Sequence, residues 1–532
     1  MGAVVKSLQP YSGPFQVATT DLELAVQDPK QFPQPLLKGT GEPALRLDTV
    51  LFTLYYPADP DPERSGSGCS QPWVQRPVDV TAHGYSRFLG QREDLCRWMF
   101  ILAGESLHIP AEADRPLAPP APPPPPPSSA NGSVAAAAAS SSSSDRILAQ
   151  ASERGAFPLI VFSHGMSGQR TTYSRWCGDM ASYGFIVAAL EHRDGSGPIS
   201  IVRLGGNGGD QERTVDFLRL EELEWPEDYG SVDLLDFRAL QQQLRLSEIA
   251  AALDVLRRID AGDGAAVARE NRRQDLGGPG VVGRYLPDWK GRIDFQNVTM
   301  AGHSFGGGTT LEALRVGAPY FPFTTGIALD PSADPVPPRR SHTVFKALRD
   351  DLSKAQGGTG SAASESEMRE RRAGADDDND DDGDGGGAAA TEQAGIAVPL
   401  LVINSETYTL WSKRFDEVKA VLNSLKDGVR GWLMTLVGAE HSSFSDVFLV
   451  VPVAAKLVGA RASPFLVLDR TVQACLEFLA HRYDDGPILS QRVEFADEDE
   501  AGGRPGEAER GWFGQRNGMA GEPGSMRMHL KR

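Results

Sequence analysis

Short unbroken apolar runs alternate along this chain with stretches whose apolar residues recur every three or four positions. Leu45 to Tyr56 roughly alternates apolar and polar residues, and within it Leu51–Tyr56 reads as a strand ending at Pro57. Phe157 to Ser163 and Gly184 to Leu190 are compact apolar runs, the mark of strands buried on both faces, with a helix predicted between them from Thr171 to Tyr183. Residues 236–259 read as a long helix, because Leu246, Ile249, Leu253 and Leu256 fall on one face. Further strands are predicted at Asp294–Ala301, Thr325–Leu329 and Val398–Asn404. Gly431–Leu436 is the last, followed by a loop carrying His441. The apolar stretch Val447–Val458, broken by Pro452 and Lys456, predicts a buried helix and falls short of the roughly 18 residues that span a bilayer. Strands alternating with helices predict an α/β architecture, a mostly parallel central sheet with helices on both faces.

Three segments break this pattern. Residues 111–146 hold the proline run Pro122–Pro127, then alanines, then serines; residues 339–394 include the acidic run Asp376–Asp384. Neither composition buries enough apolar surface to offset ordering entropy, so both are expected to be disordered insertions. The polar, Gly-rich tail 494–532 is expected to be mobile. What remains, 13–490, reads as a single domain.

Composition narrows the partners. Hydrophobic residues make up 40% of the 532, enough for a sizeable core, and the net charge of −18 argues against a nucleic-acid partner. Cys69, Cys96, Cys177 and Cys475 form no CxxC pair, so isolated reduced thiols are expected, with no metal and no cofactor. The N-terminus has no secretory apolar region, and Lys6 stands where a myristoylation signal wants Ser or Thr. A cytoplasmic location is expected. Transient contact with a membrane surface would use Trp98–Leu102 or Phe448–Val453. Oligomeric state is not legible.

The strongest chemical signal is Gly302-x-Ser304-x-Gly306, which follows a predicted strand and opens a predicted helix. A nucleophile presented on so sharp a turn needs small neighbours two residues to either side, which defines the nucleophile elbow of the α/β-hydrolase fold. The bland alternative is a Gly-rich turn with Ser304 as an N-cap. A serine hydroxyl needs a histidine base and an acid to hold that base, in the chain order Ser, Asp or Glu, His. Of the histidines after Ser304, His342 opens an insertion, His481 lies in a predicted helix and His529 in the tail, which leaves His441. Asp330 ends the strand after the nucleophile's helix and is the expected acid, with Asp334 as runner-up. The oxyanion donors are expected from the backbone N–H groups of Phe305 and of Met166, in the loop Ser163-His164-Gly165-Met166. His164 is expected to brace that loop, and Glu191-His192-Arg193-Asp194 to form a structural cluster or line the substrate entrance.

Several stretches together resemble the platelet-activating factor acetylhydrolase family, the lipoprotein-associated phospholipase A2 group. They are Gly13–Val17 with Thr20-Asp21-Leu22, Leu54–Pro57, Ser86–Gly90, Phe157–Asp194 (PLIVFSHGMSG and YGFIVAALEHRDGSG), GHSFGGG from Gly302, GIALD from Gly326, PLLVINSE from Pro399 and HSSFSDV from His441. The resemblance implies a calcium-independent serine esterase that removes the sn-2 acetyl or short or oxidised acyl group of a glycerophospholipid. It places the triad on Ser304, Asp330 and His441, and the oxyanion donors on Met166 and Phe305. One departure is Pro331-Ser332-Ala333-Asp334, where animal members carry bulkier aromatics that shape the acyl pocket. The alternatives are a related hydrolase acting on other small esters or polyesters, and an inactive fold used for binding.

Overall fold

The computed structural model describes residues 7–32, 34–60, 69–94, 97, 100, 107–120, 142–205, 211–227, 232–274, 282–333, 395–493, 519 and 521–532. Eleven strands form the main sheet: β1 (Val17–Gln31), β2 (Arg46–Pro57), β3 (Cys69–Pro72), β4 (His108–Ala113), β5 (Phe157–Ser163), β6 (Ile186–Leu190), β7 (Ile293–His303), β8 (Phe323–Leu329), β9 (Leu400–Ser405), β10 (Gly431–Leu436) and β11 (Met526–Lys531). Their spatial order is β11-β10-β9-β8-β7-β5-β6-β2-β1-β4-β3. The six strands from β10 to β6 run parallel, while β2 pairs antiparallel with β6, and β11 antiparallel with β10. This is the α/β-hydrolase fold.

Alternation along each central strand divides the core in two. Leu159, Val161, Val298, Met300, Val402 and Leu433 face one layer, where they meet α4 (Leu234–Arg258), α5 (Phe305–Val316) and α6 (Ser412–Asn423). Ile160, Phe162, Ala301, Leu401, Ile403 and Met434 face the other, against α2 (Ser143–Arg154), α3 (Ser174–Ser182) and α7 (Pro464–Leu479). Burial on both faces explains why these strands read as continuous apolar runs. A further helix, α1 (Val78–Leu89), packs on the short strand Ile199–Arg203 that follows β6.

Four expectations are corrected. The tail is not wholly outside the fold: its last residues form β11, in which Met526, Met528 and Leu530 alternate with polar residues. Gly431–Leu436 is therefore not the last strand, and His529 lies on β11, 2.7 Å from the Thr435 hydroxyl. His481 lies just beyond α7, with a positive φ of 54°. Val447–Val458 is not one buried helix. Pro452 cannot donate to the turn before it, and two short helices result, Val447–Val450 and Pro452–Leu457, leaving Val453 60% and Leu457 70% exposed.

The flanks of the first insertion are ordered. Residues 111–113 belong to β4, Leu117 and Ala118 are buried, and Ser142 caps α2 through a capping box with Asp145. Residues 121–141 and 334–394, and with them Asp334 and His342, lie outside the described residues. So do Trp98, Met99 and Ile101–Leu102. Among the described residues, no helix is long and apolar enough to cross a membrane.

Candidate active site

Three parallel strands deliver the predicted chemistry to one edge of the sheet. β7 ends at His303 and α5 begins at Phe305, so Ser304 alone makes the turn, at φ 57° and ψ −119°. A non-glycine residue at positive φ is strained, and strain of this kind persists only where the surroundings enforce it. Here the enforcement is steric. A Cβ on Gly302 would lie 2.2 Å from the Gly306 carbonyl oxygen, and one on Gly306 would lie 2.0 Å from that of Ser163. Only glycine at both positions lets the elbow close.

β8 ends one residue before Asp330, which also adopts positive φ, at 42°. Its carboxylate is fully buried and accepts 2.6 Å hydrogen bonds from the Ser405 N–H and the Ser405 hydroxyl. The remaining contact of Oδ2 is His441 Nδ1, at 2.9 Å. His441 opens a 3-10 turn after β10, and its Nε2 lies 2.9 Å from Ser304 Oγ. Because Asp330 receives donors on every side, His441 donates Nδ1–H to it and presents a free lone pair at Nε2. The imidazole ring packs against Tyr408, at 5.5 Å between centroids and nearly parallel, and against His303 at 4.6 Å. The Tyr408 hydroxyl in turn donates to the Pro331 carbonyl, next to Asp330.

The loop after β5 carries Met166. Its orientation follows from His164, which is buried and accepts the His192 N–H at Nε2, 3.0 Å away. The ring's proton therefore sits on Nδ1 and is donated to the Gly165 carbonyl at 2.8 Å. Burial, with the neighbouring His192 and Arg245, pushes the His164 pKa down to about 3, so the ring stays neutral. The Gly165 carbonyl also accepts the Gly168 N–H. In a planar trans peptide the N–H points opposite to its carbonyl, so fixing this carbonyl aims the Met166 N–H. Among the described residues, neither that N–H nor the Phe305 N–H finds an acceptor in the protein. Phe305, as the first residue of α5, leaves its N–H free of the helix ladder.

A second serine–histidine–carboxylate trio, which the sequence reading missed, lies beneath this loop. Ser163 Oγ is 2.7 Å from His192 Nε2, and His192 Nδ1 is 2.6 Å from Glu248 Oε2. All three are buried, at 0%, 1% and 1% exposure. Beside them Arg245 pairs with Asp194, donates to the His164 carbonyl and the Ser196 hydroxyl, and stacks 4.4 Å over the Phe305 ring. Glu191-His192-Arg193-Asp194 is thus a buried structural cluster, not an entrance lining. A histidine and a glutamate 56 positions apart carry no local signal of this pairing.

As for metals, His303, Asp330 and His441 bring donor atoms within 4.8 Å of one another. Both Asp330 oxygens and His441 Nδ1 are already committed to hydrogen bonds.

A serine on a strand-to-helix elbow, an imidazole at its hydroxyl and a buried aspartate behind the imidazole, carried on this sheet, define the chain as an α/β-hydrolase. Comparison with known proteins finds a partial match to one family. Residues 131–346 match the family model described as platelet-activating factor acetylhydrolase, isoform II, so this part of the chain is similar to that family. It is 28% identical to the platelet-activating factor acetylhydrolase of Gallus gallus over 300 residues, covering 55% of this chain and 54% of that protein. The protein of the same name from Canis lupus familiaris is 35% identical over 174 residues, 33% of this chain and 35% of that one. The Bos taurus protein is 34% identical over 187 residues, 34% of this chain and 36% of that one. The chain thus spans between about a third and about half of the length of these relatives.

Proposed function

We propose that this chain is a serine esterase that hydrolyses the sn-2 acetyl, or short or oxidised acyl, group of glycerophospholipids without calcium. The observation that carries the reading is the relay from Ser304 Oγ through His441 to Asp330, with both contacts at 2.9 Å. In this reaction the Ser304 hydroxyl attacks the sn-2 carbonyl carbon as its proton passes to His441 Nε2. The carbonyl oxygen becomes an oxyanion held by the N–H groups of Met166 and Phe305. The imidazolium, steadied by Asp330, then protonates the departing glycerol oxygen, releasing the lysophospholipid and leaving an acyl-Ser304. Water, deprotonated by the same imidazole, attacks the acyl carbonyl; the bond to Ser304 Oγ breaks, the acid is released, and the imidazolium returns its proton to the serine oxygen.

The lipid part of the reading is supported by the relatives' names and by an exposed apolar surface that follows the base in the chain. Val451, between the two short helices that follow His441 in the chain, and Val453 and Leu457, on the second of them, are exposed. An apolar group of this kind suits transient seating on a membrane or lipid particle. The test is a hydrolysis series on glycerophosphocholines that differ only in sn-2 chain length, with and without a calcium chelator. Release of acetate and short acids, unchanged by the chelator, is expected. Activity confined to simple esters would place the chain among related hydrolases of other substrates. Inertness towards every ester would leave an inactive fold.

A further inference from the structure

One hydroxyl joins the oxyanion loop to the strand that presents the nucleophile. Tyr173 lies directly before α3 and is buried. Its oxygen accepts the Gly165 N–H at 3.1 Å and sits 2.8 Å from His303 Nδ1. The amide can only donate. The tyrosine proton is best assigned to His303 Nδ1, which places the proton of the neutral imidazole on Nε2. His303 is kept neutral: burial, then the neighbouring His441, push its pKa well below the usual imidazole range, against a backbone contact from His441 that raises it. Its ring packs on the His441 ring at 4.6 Å and on Phe444 at 5.6 Å.

The oxyanion loop and the nucleophile strand thus meet at one oxygen atom, and the His441 ring packs on its histidine partner. Gly165 is crowded against it: a Cβ there would lie 3.0 Å from the Tyr173 hydroxyl and 3.0 Å from Ser304 Cβ. The Gly165 N–H is pinned by Tyr173, and the carbonyl of the same residue is pinned by His164 and Gly168. Both ends of Gly165 are fixed, and the next atom along the chain is the Met166 nitrogen. Oxyanion donors work only when aimed at the position the developing charge will take, within a few tenths of an ångström. Small displacements there lower the rate without weakening ground-state binding.

We infer that Tyr173 is a positioning residue for the proposed ester hydrolysis, its hydroxyl registering the Met166 oxyanion donor against the ring that underlies the base. The inference rests on the esterase reading, and the experiment separates the two. Tyr173→Phe keeps the buried ring and removes one oxygen. It is expected to lower kcat, and the rate of fluorophosphonate labelling, roughly tenfold, with KM within about twofold of wild type. His303→Phe removes the partner and should produce a similar loss. Because both substitutions break the Tyr173–His303 hydrogen bond, the double variant should lose clearly less than the product of the two single losses.

A hydroxyl that served packing alone would lower the melting temperature and leave kcat and labelling of the folded enzyme unchanged, which would overturn the inference. So would losses that multiply in the double variant. If the wild type neither labels nor hydrolyses any ester, the esterase reading falls and this inference with it. An active wild type matched by an equally active Tyr173→Phe removes this inference alone.

Discussion

Two serine–histidine–carboxylate trios sit a few residues apart in this fold, and the better hydrogen-bonded of the two is the one with no route to a substrate. The buried trio, Ser163, His192 and Glu248, has contacts of 2.7 and 2.6 Å, against 2.9 and 2.9 Å for Ser304, His441 and Asp330. Short contacts therefore do not mark the reactive serine. Access does: the His441 side chain is 41% exposed, whereas His192 is sealed. Backbone does as well. Ser304 stands on a strained elbow with two free N–H groups nearby, while Ser163 is the last residue of an ordinary strand.

The trios also differ in which way their protons face. Asp330 is surrounded by donors, so its imidazole donates to it and can accept the serine proton. Glu248 accepts the Arg193 N–H, but burial and the charge of Asp194 push its pKa up to about 8. Below that pH it keeps its proton and donates to His192 Nδ1. His192, pushed well below the usual imidazole range by burial and Arg245, then carries its ring proton on Nε2, facing Ser163 Oγ. Ser163 also receives an N–H from Arg245, at 3.3 Å. The buried serine is a proton acceptor at the centre of a brace; the exposed one is a proton donor at the edge of a reaction.

The largest expected effect separates the two serines. Ser304→Ala should lower kcat by about 10^4-fold or more, whereas Ser163→Ala should keep turnover within about tenfold of wild type. Steady-state hydrolysis of an acetylated glycerophosphocholine measures both. A Ser163→Ala enzyme as dead as Ser304→Ala would erase the distinction. The carboxylates should divide in the same way. Asp330→Asn should cost on the order of 10^3-fold in kcat, because the amide no longer holds the required tautomer of His441, while Glu248→Gln should cost little. Equal losses would mean that the buried carboxyl takes part in turnover.

Stability should report the reverse ranking. Ser163→Ala strips an acceptor from the His192 and Arg245 donors and should destabilise the fold by about 1–3 kcal/mol, read from denaturant midpoints. A stability unchanged from wild type would contradict the bracing role.

The Glu248 proton adds a signature in pH. Folded, the Glu248–His192 pair holds one proton up to about pH 8. Unfolded, at the ordinary values of 4.5 and 6.5, it holds one proton between those values and none above 6.5. The folded state therefore binds more protons between pH 6.5 and 8, and this pair's contribution to stability falls as pH rises through that window. Glu248→Gln removes the acid, and the neutral His192 that remains releases nothing there. Wild type should lose more stability than the variant between pH 6.5 and 8; parallel stability curves would contradict the proton placement. The smallest effect is expected from the insertions. Removing residues 122–140 and 345–390, all outside the described part, should leave hydrolysis largely intact, and loss of activity in a folded deletion would give them a role.

These contrasts also show what the sequence could reveal. The central strands were legible because burial on both faces writes a continuous apolar run. Ser304 was legible because its elbow demands two glycines at fixed spacing. Asp330 and His441 followed from the ends of strands after it, and the structure brings them to Ser304. The second trio was not legible: Ser163, His192 and Glu248 come from separate elements, and each type has many bland uses. Ser405, which fixes the Asp330 carboxylate, lay inside the INSE stretch without a chemical signature of its own. β11 was hidden because its alternation covers only six residues after a polar, Gly-rich segment. The Val447–Val458 run misled because its apolar character outweighed the break at Pro452, which in the fold ends one short helix and starts the next.

Peptide mapping after treatment with a fluorophosphonate tests the central claim most directly, because the reagent reports which serine is nucleophilic without presuming a substrate. The account predicts a single modified residue, Ser304, and an unmodified Ser163. Modification at another serine, or none in a folded protein, would contradict it.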